Sequence, residues 1–171
     1  MIRRYRHSTP QIDPGAFVAE TAALIGDVVV GEGSGVWYGA VLRGDVNAIT
    51  VGRRTSIQDG AVVHCDADAP CLIGNDVTIG HNASIHGCVI GHRAVIGIAA
   101  TVLSRAVVGE GAVVAAGSLV PEGSVVPPDT LVMGVPAKPV REVTTEERER
   151  FELNAAHYVS EAAEYAKGDP N

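Results

Sequence analysis

The chain has 171 residues and a formal net charge of −7, and its composition is 46% hydrophobic but only 4% aromatic, with 20 glycines. These values fit one domain whose core is built from small and β-branched side chains. Basic residues form no cluster beyond the short run Arg3–Arg6. Because nucleic acids and anionic membranes attract clustered basic charge, the composition argues against both as partners.

The N-terminal segment and the cysteines indicate the compartment. No apolar run follows the basic residues near the start, and no stretch approaches the roughly 18 apolar residues of a membrane span. We therefore expect a cytoplasmic protein. In that compartment Cys65, Cys71 and Cys88 are expected to be thiols, although Cys65 and Cys71 flank a short loop and could pair under oxidation.

An aliphatic residue recurs about every six positions, and a small residue often stands four positions after it. A six-residue period is not helical, and it indicates a short strand, a tight turn and another strand. Coils of this kind stack into a solenoid and bury their aliphatic rows against one another. The register is Val30, Val36, Leu42, Val51, Ile57, Val63, Ile73, Ile79, Ile85, Ile90, Ile96, Val102, Val108, Val114, Val120, Val126 and Val132.

This repeat resembles the hexapeptide-repeat family of left-handed β-helices, over roughly residues 10 to 140. The resemblance implies three hexads per triangular coil and a left-handed path. We therefore predict an all-β solenoid, a left-handed parallel β-helix of about seven coils, followed by one C-terminal α-helix. The expected division is a β-helix domain at residues 1–140 and a helical segment at 141–171.

The register breaks in three places, all near histidines. Leu42 to Val51 carries three extra residues, Val63 to Ile73 carries four, and Ile85 to Ile90 is one short. Insertions in a solenoid are expected to form surface loops, often on the binding side. The prolines between residues 127 and 139 are expected to end the repeat, because proline cannot donate to a strand ladder.

The C-terminal segment has the pattern of one amphipathic helix. Residues 144–147, TTEE, match a capping box, and Gly168 follows the pattern as a helix-ending residue. The helix is expected to cover an apolar strip on the solenoid or on a neighbour. The apolar positions recur at three and four residues: Phe151, Ala155, Tyr158, Ala162 and Tyr165.

Polar residues form two columns when placed on the register. Arg43, His64 and His86 directly follow the aliphatic residue of one side in three successive coils, about 4.8 Å apart. Asp59 and His81 form a second column on the preceding side. His81 is therefore poorly placed to join the other two histidines within one chain. If all three bind one ion, His81 must come from an adjacent subunit, and a closed three-fold ring predicts a homotrimer.

Three imidazoles predict a catalytic type of metal site. Neutral imidazole suits Zn(II), Co(II) or Fe(II), and three protein ligands leave an open position for water. Zinc is the expected ion, with iron or cobalt as alternatives. Such an ion lowers the pKa of bound water to near 7. The remaining histidines, His7, His92 and His157, are interpreted as turn or surface residues.

Four motifs carry a more specific resemblance. RGD (43–45), SIQDGAVVH (56–64), TIGH (78–81) and IHGCVIG (85–91) together resemble the gamma class of carbonic anhydrases. The resemblance implies hydration of CO2 to bicarbonate by a metal-bound hydroxide. It also implies that His64 and His86 bind the metal from one subunit and His81 binds it from the next.

The same resemblance assigns further roles. Gln58 would orient the metal-bound hydroxide, Arg43 would lie near the metal and the bicarbonate exit, and Asp45 and Asp59 would hold the subunit interface. Arg43 and Asp45 could equally form only an intersubunit ion pair, because arginine favours bidentate pairing. Tyr158 is expected to approach the site, as a tyrosine does in related shorter members, although packing alone explains its spacing.

Three features depart from the family's archetype. Where the archetype has proton-transferring glutamates, the insertions here read VNAIT and CDADAPC, so Asp66 and Asp68 are the candidates for proton transfer. Ser56 stands where the archetype has an amide side chain. Fast turnover requires proton export, so the departures leave a slow or silent enzyme open as an alternative.

Four functions remain open at this stage. The first is CO2 hydration, with CO2 and bicarbonate as substrate and product. The second is a related metal-dependent hydrolase, for example of thioesters, because a metal hydroxide also attacks acyl carbonyls. The third is a trimeric scaffold that retains the metal for stability. The fourth is an acyltransferase with a histidine base, which would leave the three histidines unexplained.

Overall fold

The computed structural model describes residues 1–167 and divides them into 20 strands and one helix. The first ten strands are β1 (Ile2–Arg3), β2 (Gln11–Ile12), β3 (Phe17–Val18), β4 (Ala23–Val30), β5 (Gly35–Val36), β6 (Val41–Val51), β7 (Ser56–Ile57), β8 (Val62–His64), β9 (Cys71–Ile73) and β10 (Thr78–Ile79). The remaining elements are β11 (Ser84–His86), β12 (Val89–Ile90), β13 (Val95–Ile96), β14 (Thr101–Val102), β15 (Val107–Val108), β16 (Val113–Val114), β17 (Leu119–Val120), β18 (Val125–Val126), β19 (Thr130–Gly134), β20 (Ala137–Glu142) and α1 (Thr145–Lys167).

The strands form a left-handed parallel β-helix of about seven coils with three sides, the fold that the resemblance to hexapeptide-repeat proteins implies. The side that α1 covers, here called the helix side, has the strand order β20-β19-β16-β13-β10-β7-β5-β3. The side that carries His64 and His86, here called the histidine side, contains β8, β11, β14 and β17. The third side contains β9, β12, β15 and β18. These two sides form one continuous sheet because β4 and β6 run around the corner that joins them.

The core is the set of aliphatic rows that the sequence predicts. All the register residues from Val30 to Val132 are buried, and none is more than 4% exposed. They stack in register from coil to coil, for example Ile57 on Ile79 and Ile79 on Ile96. Burial of one such side chain stabilises the fold by about 1.5–3 kcal/mol, so the stack supplies the core without aromatic residues.

The first insertion differs from the expected surface loop. Its residues lie inside the long strand β6, whose pairing with β4 shifts register between Gly26 and Val28. The extra residues are therefore absorbed as a bulge, which keeps the flanking residues Leu42 and Val51 buried on successive sides. The second insertion does form a loop, closed by reciprocal backbone hydrogen bonds between Asp66 and Ala69.

The C-terminal end of the β-helix is an antiparallel hairpin. β20 pairs with β19 and carries Pro139 opposite Val132. The expected division between residues 140 and 141 falls inside β20, because this strand folds back on the last coil and continues to Glu142. α1 begins three residues later, at Thr145.

α1 lies along the helix side of its own chain, where it packs on β3, β5 and β7. The capping box is confirmed: the Thr144 amide donates to Glu147 Oε2 at 3.0 Å and the Glu147 amide donates to Thr144 Oγ1 at 3.2 Å. Gly168 lies outside the described residues. Five of the seven aromatic residues of the chain meet at this contact, and they are Phe17, Trp37, Tyr38, Tyr158 and Tyr165.

The cysteines are free thiols, and all three are buried. Burial raises the pKa of the Cys65 thiol, which lies 3.1 Å from the carbonyl oxygen of Asn47. Within residues 1–167, no helix is both long enough and apolar enough to cross a bilayer.

Glu147 makes the stability of the start of α1 depend on pH. Hydrogen bonds from the Arg141 side chain and the Thr144 backbone lower the pKa of Glu147 from 4.5 to about 2. A carboxyl whose folded-state pKa is depressed stabilises the fold above its unfolded pKa and loses that contribution as pH falls. We therefore expect Glu147→Gln to lower the thermal unfolding midpoint above pH 5, and the deficit to vanish as pH approaches 2.

The measurement is thermal unfolding of both proteins between pH 7 and pH 2. Glu149→Gln, on an exposed position of the same helix, is the control and should show no such convergence. A Glu147→Gln deficit that stays constant down to pH 2 would contradict this assignment.

Candidate metal centre

His64 and His86 are neighbours at the end of the histidine side. They occupy the last positions of β8 and β11, which pair in register with His64 opposite His86. The ring centroids are 5.1 Å apart, and His64 Nδ1 lies 3.1 Å from His86 Nε2. The column that the repeat predicts for His64 and His86 therefore places these imidazoles side by side, facing outward at one corner of the β-helix.

The ring nitrogen of His64 that points away from His86, here called its outer nitrogen, contacts a carboxylate. His64 Nε2 lies 3.0 Å from Asp45 Oδ1, and the other oxygen of Asp45 accepts from Arg43 Nη1 at 2.6 Å. Because a carboxylate only accepts, the contact assigns the ring proton of His64 to Nε2. Nδ1 of His64 therefore presents a lone pair toward His86.

The outer nitrogen of His86 is held through a hydroxyl. His86 Nδ1 lies 2.9 Å from Ser104 Oγ, and Ser104 Oγ donates to Asp66 Oδ2 at 2.6 Å. Since Ser104 uses its proton toward Asp66, it accepts from His86, which assigns the ring proton of His86 to Nδ1. Nε2 of His86 therefore presents a lone pair toward His64.

Two lone pairs thus face each other across 3.1 Å, an arrangement that a cation between them stabilises. In a tetrahedral zinc site with bonds of about 2.0–2.1 Å, two ligand nitrogens lie about 3.3 Å apart. Metal-binding histidines also usually donate their other ring N–H to a carboxylate or a similar acceptor. The separation, the tautomers and the outer partners of His64 and His86 all fit a divalent metal ion.

His81 lies apart from this pair. It follows β10 in the turn between the helix side and the histidine side, and its Nδ1 is 2.9 Å from Asp59 Oδ2. This contact leaves Nε2 of a partly exposed ring available. Among residues 1–167, no three His, Cys, Asp or Glu side chains converge to hold one ion. One chain therefore brings two histidines together and carries the third on another corner.

Asp45 and Arg43 pair with each other within one chain, Arg43 Nη1 donating to Asp45 Oδ2 at 2.6 Å. Both side chains leave the same face of β6, because residues two apart in a strand point the same way. Burial raises the pKa of Asp45, but hydrogen bonds from His64 and Arg43 outweigh it and leave that pKa below its usual value. Asp45 is thus an ionised acceptor at neutral pH.

Gln58 and Tyr158 lie near the His81 corner. Gln58 directly follows β7, next to Asp59, and is only 5% exposed. The Tyr158 ring packs edge-on against Trp37 with centroids 5.7 Å apart. Burial, followed by the charge of Asp59, raises the pKa of Tyr158. The Tyr158 side chain therefore packs between α1 and the β-helix, and it also lies close to Asp59, the acid that contacts His81.

Ser56 is used in packing. Its hydroxyl accepts from the Trp37 indole Nε1 at 3.0 Å, and Ser56 is only 4% exposed. The serine that stands in place of the archetype's amide therefore supports the aromatic contact beneath α1.

The two acidic loop residues are placed differently. Asp66 is one hydroxyl away from His86, whereas Asp68 forms two hydrogen bonds with Arg105 at 2.8 and 2.9 Å. Arg105 lowers the pKa of Asp68, and Asp68 is largely exposed. Asp68 is thus a weaker base than an unpaired aspartate, and Asp66 is the loop acid that reaches the site.

Two residues of the site were not identified from the sequence. Ser104 lies one coil beyond His86 on the same side, and Asn47 Nδ2 donates to the carbonyl oxygens of Asp66 and Ala67 at 3.1 and 3.0 Å. Polar residues at register positions next to the histidine column were the available signal for Ser104. No sequence signal indicated Asn47, because its role depends on how the first insertion folds.

The fold and the histidine columns define the class of the protein, a hexapeptide-repeat β-helix with imidazoles at its corners. A solved structure of this kind is the hexapeptide transferase family protein from Anaplasma phagocytophilum. It has 42% sequence identity and a TM-score of 0.91, and the match covers 96% of this chain and 97% of that chain. No family model matches the sequence.

Curated relatives identify the family within that class. The chain is 54% identical over 142 residues to the "Probable carbonic anhydrase" of Methanocaldococcus jannaschii, covering 83% of this chain and 89% of the relative. It is 54% identical over 164 residues to "Gamma carbonic anhydrase 3, mitochondrial" of Arabidopsis thaliana, covering 92% of this chain. The chain spans 64% of that plant relative. The chain belongs to the gamma-class carbonic anhydrase family.

Asn47 should control the mobility of the Asp66–Ala69 loop. Removing its two hydrogen bonds in Asn47→Ala lowers the cost of opening the loop by about 0.5–1.5 kcal/mol per bond. We expect the amides of Asp66 and Ala69 to exchange with solvent deuterium at least about twofold faster. Asn154→Ala, exposed on α1, is the control. Unchanged exchange at both loop amides would show that Asn47 does not hold the loop.

Proposed function

We propose that the protein catalyses the reversible hydration of CO2 to bicarbonate at a metal site formed by His64, His86 and His81. One observation carries the proposal: in a chain of this family, His64 Nδ1 and His86 Nε2 face each other 3.1 Å apart, and the other nitrogen of each ring contacts an oxygen of Asp45 or Ser104. The proposed ion is Zn(II), and Fe(II) or Co(II) would suit the same nitrogen donors.

The third ligand would come from a neighbouring subunit. His81 is held by Asp59 on a different corner from the His64 and His86 pair, and the described part of one chain offers no third ligand beside that pair. A contact between two different corners must close on itself to avoid a filament. The three-sided shape of the coil makes three-fold closure the simplest arrangement, so we propose a homotrimer with three interface sites.

A metal ion with three histidine ligands supplies a bound water of lowered pKa and hence a nucleophile for CO2. The protein residues would position the reactants. The Gln58 side-chain amide can both donate and accept, so it would orient the water. The partly exposed guanidinium of Arg43 would attract bicarbonate, and Asp59 would fix the ring of His81.

The metal ligands are tested by binding and activity together. We expect the purified protein, loaded with zinc or anaerobically with iron, to bind one ion per chain and to hydrate CO2 in stopped flow. His64→Ala and His86→Ala should lose the ion and at least about 100-fold in activity, since a site with one ligand missing binds weakly.

The matched control is His92→Ala. His92 Nδ1 accepts from the backbone amide of Asn75 at 2.9 Å, away from the site, so this variant should bind metal as the unmodified protein does. A fully metal-loaded protein that hydrates no CO2 would overturn the proposal. Hydrolysis of acyl-CoA by that same protein would then identify a hydrolase.

The shared site makes a separate prediction. Trimers of His81→Ala and trimers of His64→Ala should each be inactive, because every site lacks one ligand. Dissociated and reassembled together, they should regain part of the activity, since some interfaces then combine an intact His81 with an intact His64 and His86. Mixed trimers of confirmed composition that regain none would show that the site is not shared between subunits.

A further inference from the structure

We propose that Ser104 and Asp66 act as a positioning pair for His86, holding its ring and fixing the tautomer in which Nε2 is free. This inference rests on the proposed function, because it gives His86 the role of a metal ligand. It assigns Asp66 a structural link to the site in place of proton transfer.

The geometry requires the hydroxyl. His86 Nδ1 lies 3.8 Å from the nearest oxygen of Asp66, which is too far for a hydrogen bond. Ser104 Oγ lies between them, at 2.9 Å from the imidazole and 2.6 Å from the carboxylate. Ser104 is itself only 7% exposed, so water competes poorly for these contacts. His64 differs, because it contacts Asp45 directly at 3.0 Å.

The surrounding backbone leaves room for this arrangement. Gly87, next to His86, has a φ of +49°, in the left-handed region that favours glycine. A Cβ at this position would lie 3.0 Å from the carbonyl oxygen of Ala69 and 3.3 Å from Ser104 Oγ. Glycine therefore lets the Asp66–Ala69 loop and Ser104 approach the imidazole from two different coils.

The loop that carries Asp66 is fastened from both sides. Asn47 donates to its backbone from the preceding coil, and Arg105 pairs with Asp68 from the following coils. Arg105 directly follows Ser104 in the chain, so the residues that fix the loop and the residue that contacts His86 are continuous. The Asp66 carboxylate is thereby held in place as the acceptor of the Ser104 proton.

Loss of this link has a specific consequence. Without an acceptor at Nδ1, the neutral ring of His86 can carry its proton on Nε2, the atom that faces His64. A proton there blocks the lone pair that a metal ion needs. Removing the residue that hydrogen-bonds the other ring nitrogen of a metal-binding histidine typically lowers metal affinity by about 10–100-fold, and we expect a loss in that range for Ser104→Ala.

The first measurement is Co(II) affinity by chelator competition, together with the visible absorption of the bound cobalt. Ser104→Ala should bind about 10–100-fold more weakly than the unmodified protein, with an altered cobalt spectrum. Ser104→Thr keeps the hydroxyl and should restore most of the affinity. Ser84→Ala, an exposed serine on the same strand as His86, is the control and should not change binding. Equal affinities for Ser104→Ala and Ser84→Ala would overturn the proposal.

The second measurement separates positioning from proton transfer. Asp66→Ala should weaken Co(II) binding, whereas Glu110→Ala, which removes a carboxylate outside this loop that is paired with Arg93, should bind cobalt normally. If Asp66 served only as a proton shuttle, Asp66→Ala would bind metal normally and added imidazole buffer would restore its CO2 hydration rate. That result would overturn the positioning role.

A third measurement does not depend on the metal. In metal-free protein with 15N-labelled histidine, at alkaline pH where imidazoles are neutral, His86 should be protonated at Nδ1. Ser104→Ala should shift His86 toward the Nε2-protonated form. If the unmodified protein failed to bind cobalt, the proposed function would fall, and this tautomer measurement would still decide the positioning role. An unchanged tautomer in Ser104→Ala would overturn it.

Discussion

In-register stacking of parallel coils is the constraint on which the whole molecule depends. Each coil repeats the inward aliphatic position of the one below, so any residue placed just after that position repeats along an outward column. A slip of one residue would turn Ile85 outward and His86 into the core, which strongly disfavours other registers. The insertions respect the same constraint, because a bulge in β6 and a closed loop after His64 absorb the extra residues.

Aspartate side chains orient the three histidine rings and determine which nitrogen of each ring remains available. Each of the three imidazoles has one nitrogen associated with an aspartate: Asp45 for His64, Asp59 for His81, and Asp66 through Ser104 for His86. The side chains of Asp59 and Asp66 are 45% and 43% exposed, so these two carboxylates keep part of their hydration, whereas Asp45 is 19% exposed and depends more on its hydrogen bonds. These contacts orient the rings, and they leave the other nitrogen of each ring available to a ligand.

The aromatic residues link the helix to the candidate site. The core needs none of them, and five are concentrated where α1 covers the helix side of the β-helix. Trp37 connects the two regions, because its indole donates to Ser56 and its ring packs against Tyr158. Ser56 begins β7, which leads directly to Gln58 and Asp59, so the packing of α1 supports the corner that carries His81.

The sequence by itself determined the elements that depend on period and local chemistry. The six-residue repeat predicted the coils, the buried rows and the neighbouring positions of His64 and His86, and the capping box predicted the start of α1. Only the tertiary structure decided how the first insertion folds, that Arg43 and Asp45 pair within one chain, and that Ser104 joins Asp66 to His86. A repeat fixes where the backbone of each residue lies. It does not fix side-chain contacts between segments 38 residues apart, because these depend on how loops from several coils meet.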